Sequence, residues 1–196
     1  MAQDAAALLR YLSATPCIVM GHSMGAIVAS VLSIQDPDVV RALILIDVSY
    51  FLPAEPVKTM GEALTAASDP ASAAVTALGA LYTPDSPAWM LAVHRRRTLG
   101  MQNRALLGSF FGHVGEGKPG NQDAAYEYMV KRTKHKLAVY QSEAAATLER
   151  KLPLAEGDEV HVIDGSSHWV HEQRPNEFNE IMLAWLEKSE YFTLRN

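Results

Sequence analysis

Cysteine is nearly absent from this 196-residue chain: Cys17 stands alone, which excludes an internal disulfide and fits a reducing compartment. Cationic excess is absent too. With 17 Lys and Arg against 22 Asp and Glu, the formal charge is −5, which argues against a nucleic-acid or anionic-membrane surface. No apolar run is long enough to span a bilayer, and no basic n-region with an apolar h-region opens the chain, so a cytoplasmic location is expected. Internal repeats and low-complexity tracts are missing. The glycine-rich stretch from Gly112 to Gln122 follows no strand and lacks the Lys-Ser/Thr ending of a phosphate loop, which excludes nucleotide binding of that kind. It reads as a mobile hinge or a disordered loop. His161, His168 and His171 cluster in sequence, but no Cys, Asp or Glu pattern completes a metal site, and no cofactor is expected.

What remains is 48% hydrophobic and 20% charged, the balance of an ordinary globular domain with a substantial core. The organising stretch is Cys17-Ile18-Val19-Met20 followed by Gly21-His22-Ser23-Met24-Gly25 and then Ala26-Ile27-Val28-Ala29. An apolar β-type run enters a Gly-x-Ser-x-Gly turn and an apolar helical run leaves it. Glycine at 21 and 25 removes side chains where strand and helix backbones come close, and Ser23 is left at the apex of a strained turn. The Met24 amide then lies at a helix N-terminus, where unpaired N–H groups favour negative charge. A Gly-flanked serine in an ordinary strand-to-helix turn is the plain alternative.

The rest of the chain falls into a strand–helix rhythm. Residues 1–12 predict a helix with Ala5, Leu8, Leu9 and Leu12 on one face. Residues 39–47 predict a fully buried strand, as a parallel sheet requires. From 48 to 132, prolines interrupt short Ala-, Leu- and Met-rich helical pieces, and no strand is evident. Within it, His94-Arg95-Arg96-Arg97 reads as a solvated face. Residues 136–140 predict a strand, 143–151 a helix and 158–163 a strand; Pro175 opens a last helix with Phe178, Ile181, Met182, Trp185 and Leu186 inward. The tail from Ser189 reads as peripheral. Cys17, in its strand, reads as a packing residue.

The G-H-S-M-G elbow resembles that of the α/β-hydrolase family. The resemblance implies an α/β fold, with a truncated, mostly parallel sheet, flanking helices and a helical cap insertion at 48–132 within a single domain spanning 1–196. A serine needs a base to take its proton. The stretch Asp164-Gly165-Ser166-Ser167-His168, followed by Glu172 and Arg174-Pro175, is similar to the family's histidine loop and points to His168. His22 neighbours Ser23 but points away from its hydroxyl on such an elbow; His161 and His171 read as surface or supporting residues. The acid is less direct. In most members it follows the next-to-last strand, where this chain has Tyr140-Gln141-Ser142-Glu143-Ala144, with Ala144 at the expected place. Some members carry it after the strand that follows the elbow helix, and Asp47 matches that position. Asp47 and Glu143 both stand, the latter as a residue that also starts a helix.

The family's usual strands before the elbow are not matched here, nor is the His-Gly-type loop that supplies a second oxyanion donor. Loss of one donor lowers rate by ~10²–10³. The elbow strand is thus expected at a sheet edge, paired with a second copy in a homodimer or covered by the first helix. The resemblance implies a serine hydrolase of carboxylic esters or related acyl compounds, using Ser23, His168, Asp47 and the Met24 amide. Trp89, Phe110 and Phe111 hint at an apolar substrate. A hydrolase-like binding module without activity is the alternative, and lyase or cofactor-free haloperoxidase chemistry could run on the same residues.

Overall fold

The computed structural model describes residues 1–189 and 191. The elbow's surroundings come first: helix α1 (Ala2–Tyr11), strand β1 (Cys17–His22), helix α2 (Met24–Gln35) and strand β2 (Val40–Ile46). A helical stretch follows, with α3 (Ala54–Ala66), α4 (Pro70–Leu78), a 3-10 turn at Gly79–Leu81, α5 (Ala88–Leu99), α6 (Asn103–Val114) and α7 (Gln122–Met129). The chain closes with β3 (Lys136–Tyr140), α8 (Glu143–Arg150), β4 (Glu159–Val162), the short α9 (Val170–Gln173) and α10 (Pro175–Lys188). Two compact units result: residues 1–48 with 129–196, and residues 49–128.

In the first unit the four strands form one sheet in the order β1-β2-β3-β4, and every pair is parallel. Sequential strands that lie side by side and parallel need a crossover each time, and the hydrophobic runs of β2 and β3 suit a position covered on both faces. Ala42, Ile44 and Ile46 of β2 join Leu137, Val139, Ile163, Val170, Phe178 and Trp185 in one core cluster, with Ile181, Met182 and Leu186 packed against it. The inward face expected of α10 is therefore the observed one. By the alternation of strand side chains, Leu43 and Leu45 point to the opposite face, where α2 packs.

A group of buried titratable side chains sits beside α2, β3 and α8. Arg132 donates to Glu149 Oε1 at 2.7 Å and to Ser30 Oγ at 3.2 Å, and the Tyr140 hydroxyl donates to Glu149 Oε2 at 3.0 Å. Lys136 pairs with Asp158 at 2.7 Å. Burial pushes the Glu149 carboxyl up to about 8 and pulls Arg132 down to about 10. Burial is the larger cause of the first shift, and the nearby Asp158 charge adds to it.

Some sequence expectations need correction. In α1 the buried residue is Ala6, with Ala2, Ala5 and Leu9 half-buried on the same face, whereas Leu8 and, just past the helix, Leu12 are 56% and 59% exposed. Cys17 is only part-buried, although burial still raises its thiol above the ordinary value.

The second unit contains no sheet; its one bridge joins Leu52 to Asn121. Asp69 caps α4 by accepting from the Ala71 and Ser72 amides, which holds its carboxyl below the usual value, with the Ser72 hydroxyl contributing most. Leu64, Ala71 and Leu106 form the unit's small core, with Phe110 packed against it. Met90 is fully buried, while Trp89 and Phe111 are exposed. In α5, His94 is buried, 3.0 Å from the Tyr82 hydroxyl, so only Arg95, Arg96 and Arg97 form the solvated face. The glycine-rich loop is tied rather than free: Gly120 N–H donates to His113 O at 2.8 Å, and Leu52 N–H to Gly120 O at 3.2 Å. The expected peripheral tail lies outside the described residues except Ser189 and Tyr191.

Candidate active site

Because all four strands run parallel, their carboxyl ends share one sheet edge, and that edge is where ligands bind in open α/β sheets. Ser23 follows β1, Asp47 follows β2, Gln141 follows β3, and the loop to His168 follows β4. The ladder runs past the formal strand ends and binds them to one another. Ser23 N–H donates to Ile46 O at 2.9 Å, Asp47 N–H to Val139 O at 2.8 Å, and Ile163 N–H to Tyr140 O at 2.9 Å.

Ser23 has φ 53° and ψ −120°, a left-handed backbone disfavoured for a residue with a Cβ. Gly21 makes that turn passable. A Cβ there would lie 2.3 Å from the Gly25 carbonyl oxygen, inside any tolerable contact. Gly25 differs from expectation: a Cβ at that position meets nothing within 4 Å, so only the first glycine of the motif is sterically required. Helix α2 begins at Met24, and the first N–H groups of a helix have no acceptor within it. The helix dipole adds partial positive charge at that end.

Asp47 also takes a left-handed backbone, φ 41°, and is 4% exposed. Its Oδ2 lies 2.5 Å from His168 Nδ1. Gln141 adds two donors, its main-chain N–H to Oδ1 at 3.3 Å and its Nε2 to Oδ2 at 3.1 Å. A carboxylate facing Nδ1 places the proton there and leaves Nε2 as the basic nitrogen of a neutral ring. Glu143, the other acid, is not part of this arrangement. It opens α8 and pairs with Arg150 on the exposed surface.

The His168 loop is held from several sides. Gly165 supplies a positive φ of 73°. Ser166 Oγ donates to Ile163 O at 2.7 Å, and Ser167 N–H to Gln173 Oε1 at 2.7 Å. His22 Nε2 lies 2.8 Å from the His168 carbonyl, which can only accept, so His22 carries its proton on Nε2. Its ring centroid is 4.6 Å from that of His168 and 4.9 Å from that of His171. His161 is engaged elsewhere, 2.8 Å from Glu159. Among the described residues, no group of three or more His, Cys, Asp or Glu is placed to hold a metal ion. No helix among them is long and apolar enough to cross a membrane.

The profile of the alpha/beta hydrolase family matches residues 1–181. The chain belongs to that family. This alpha/beta hydrolase has a local likeness to the Mus musculus protein described as sn-1-specific diacylglycerol lipase ABHD11, at 47% identity over 49 residues, which is 25% of this chain and only 16% of that protein. Among solved structures it is similar to an esterase from Thermogutta terrifontis, with TM-score 0.78, 15% identity, and coverage of 95% of this chain and 71% of that one. A hydrolase from Pseudomonas aeruginosa gives TM-score 0.75 at 18% identity, covering 94% and 70%. A bromoperoxidase from Bacillus anthracis gives 0.77 at 14%, covering 95% and 72%. At those identities the structural likeness speaks to fold alone.

Proposed function

We propose that this alpha/beta hydrolase cleaves a carboxylic ester or related acyl compound, with Ser23 as nucleophile, His168 as base and Asp47 as the acid that orients it. The observation that carries this reading is the buried pair of His168 Nδ1 and Asp47 Oδ2, 2.5 Å apart, on the sheet edge where β1 turns through Ser23. In the reaction Ser23 Oγ attacks the acyl carbon while its proton passes to His168 Nε2. The carbonyl oxygen becomes an oxyanion facing the Met24 N–H, and Asp47 stabilises the imidazolium. Collapse breaks the bond to the alcohol, which leaves with the proton from His168. Water then attacks the acyl-serine with His168 again as base, releasing the acid and restoring the hydroxyl. The ester and lipase descriptions of its relatives favour acyl chemistry of this class.

Hydrolysis of a series of p-nitrophenyl esters tests the reading. Ser23→Ala is expected to lower kcat by ~10⁴ or more at unchanged fold. Asp47→Asn is expected to lower it by about 10²–10⁴, because the imidazole loses its charged partner and its preferred tautomer. Turnover that survives Ser23→Ala would refute the assignment, and a wild-type protein that binds such esters without cleaving them would favour a binding role.

A further inference from the structure

We propose that Gln141 is a positioning residue for this site: its side-chain amide locks the Asp47 carboxylate in the plane that faces His168 Nδ1. The inference rests on the reaction assigned above and adds a residue that no sequence pattern marks. A carboxylate at the end of a strand can rotate about its terminal bond, a broad two-fold torsion with little intrinsic preference. One imidazole partner does not fix that rotation. Gln141 does so with two donors on different oxygens, the main-chain N–H on Oδ1 at 3.3 Å and Nε2 on Oδ2 at 3.1 Å. Oδ2 therefore accepts from Gln141 and His168 together, and the charge of a buried acid is spread over three N–H groups.

Topology makes this possible. β2 and β3 are parallel neighbours with Ile46 opposite Val139, so the residues just past their ends, Asp47 and Gln141, meet at the same edge. In most members of the family the acid follows this strand, where this chain has Tyr140-Gln141-Ser142-Glu143-Ala144. A neutral amide at Gln141 avoids the repulsion that a second carboxylate 3 Å from Asp47 would bring, and it donates where a carboxylate could only accept. Other titratable groups near the pair are His22, whose ring lies against that of His168, His171, whose ring lies against that of His22, and Tyr140. Burial pushes the Tyr140 phenol up, so it stays neutral throughout the working range.

Two variants of the full chain separate positioning from packing. Gln141→Met keeps side-chain length and removes the donor. Gln141→Glu keeps shape and adds negative charge. The readouts are the His168 imidazole titration, followed by ¹H–¹⁵N NMR, and kcat and KM against pH on a p-nitrophenyl ester. For Gln141→Met, kcat is expected to fall about tenfold or more with KM within twofold, because the interaction orients the catalyst rather than the substrate. For Gln141→Glu, added negative charge favours the imidazolium, so the His168 pKa rises by about one unit or more and the acid limb of the pH profile moves up with it. A lowered melting temperature with kcat and the His168 titration unchanged in both variants would overturn the proposal. The NMR titration needs no turnover. A wild-type chain that does not hydrolyse esters defeats the reaction assigned above, while the His168 titration in Gln141→Glu still decides whether Gln141 sets the state of the pair.

Discussion

At the scale of single residues, the site depends on side chains whose partners are far away in sequence. His22 holds the carbonyl of His168 across 146 positions, and Gln141 reaches Asp47 across 94. His22→Phe keeps a flat ring against His168 but removes the Nε2 donor. The expected outcome is a roughly tenfold lower kcat with little change in melting temperature, measured by ester hydrolysis and thermal unfolding. An unchanged kcat would assign His22 to packing alone. Ser23 stands out as a candidate in the sequence through its two glycines and apolar run, while His168 and Asp47 become candidates through the resemblance of the Gly-Ser-Ser-His loop and of the strand end at Asp47 to the family's pattern, with Glu143 the other acid. Nothing local marks His22, Gln141 or Gln173 as supports. Their role appears only when parallel strands bring their ends together, which one-dimensional spacing does not encode.

Among secondary elements, the turn from β1 to α2 is where sequence reading and structure part. The motif treats its glycines alike, but only Gly21 faces backbone at close range. Gly21→Ala is expected to destabilise the fold by about 3 kcal/mol or more, or to prevent folding, since the colliding atoms are main chain and cannot rotate away. Gly25→Ala is expected to be neutral or to raise stability by up to ~1 kcal/mol, since alanine is the better helix former. Equal effects in urea unfolding would contradict the account of this turn. In α1 the expected face is turned by about one position: Ala5 and Leu9 are half-buried beside buried Ala6, while Leu8 is exposed.

The charges between α2, β3 and α8 give a further prediction at this scale. With Glu149 raised to about 8 from its ordinary 4.5, the folded chain keeps a proton that the unfolded chain has lost across that interval. Stability therefore falls as pH rises from about 4.5 toward 8. Glu149→Gln is expected to remove that slope and to cost less than about 1 kcal/mol at neutral pH, because the native group is already largely uncharged there. A loss of about 3–5 kcal/mol would mean that an ionised carboxylate pairs with Arg132 instead.

For the molecule as a whole, the strand–helix alternation and the family resemblance together give a mostly parallel sheet with a helical stretch between β2 and β3; the described sheet is parallel throughout, and its strand bounds fall within a few residues of those expected. Among the described residues β1 pairs with β2 alone, leaving its other side open. The strand holds neither Lys nor Pro to discourage pairing, and Met1, Leu8, Tyr11, Leu12 and Met20, all within the first twenty positions, are exposed apolar side chains. We propose that two copies pair along β1, whose lack of formal charge lets it meet itself without repulsion. Sedimentation should show a dimer that Met20→Lys dissociates; a wild-type monomer at every concentration would contradict the pairing.

The most direct test of the central claim is covalent capture by a fluorophosphonate probe, read by mass spectrometry of the labelled peptide. The account predicts one adduct on Ser23 in the wild-type chain, none in Ser23→Ala, and labelling slowed by orders of magnitude in His168→Ala. Labelling that persists at full rate without His168, or no adduct on Ser23 in a folded wild-type chain, would contradict it.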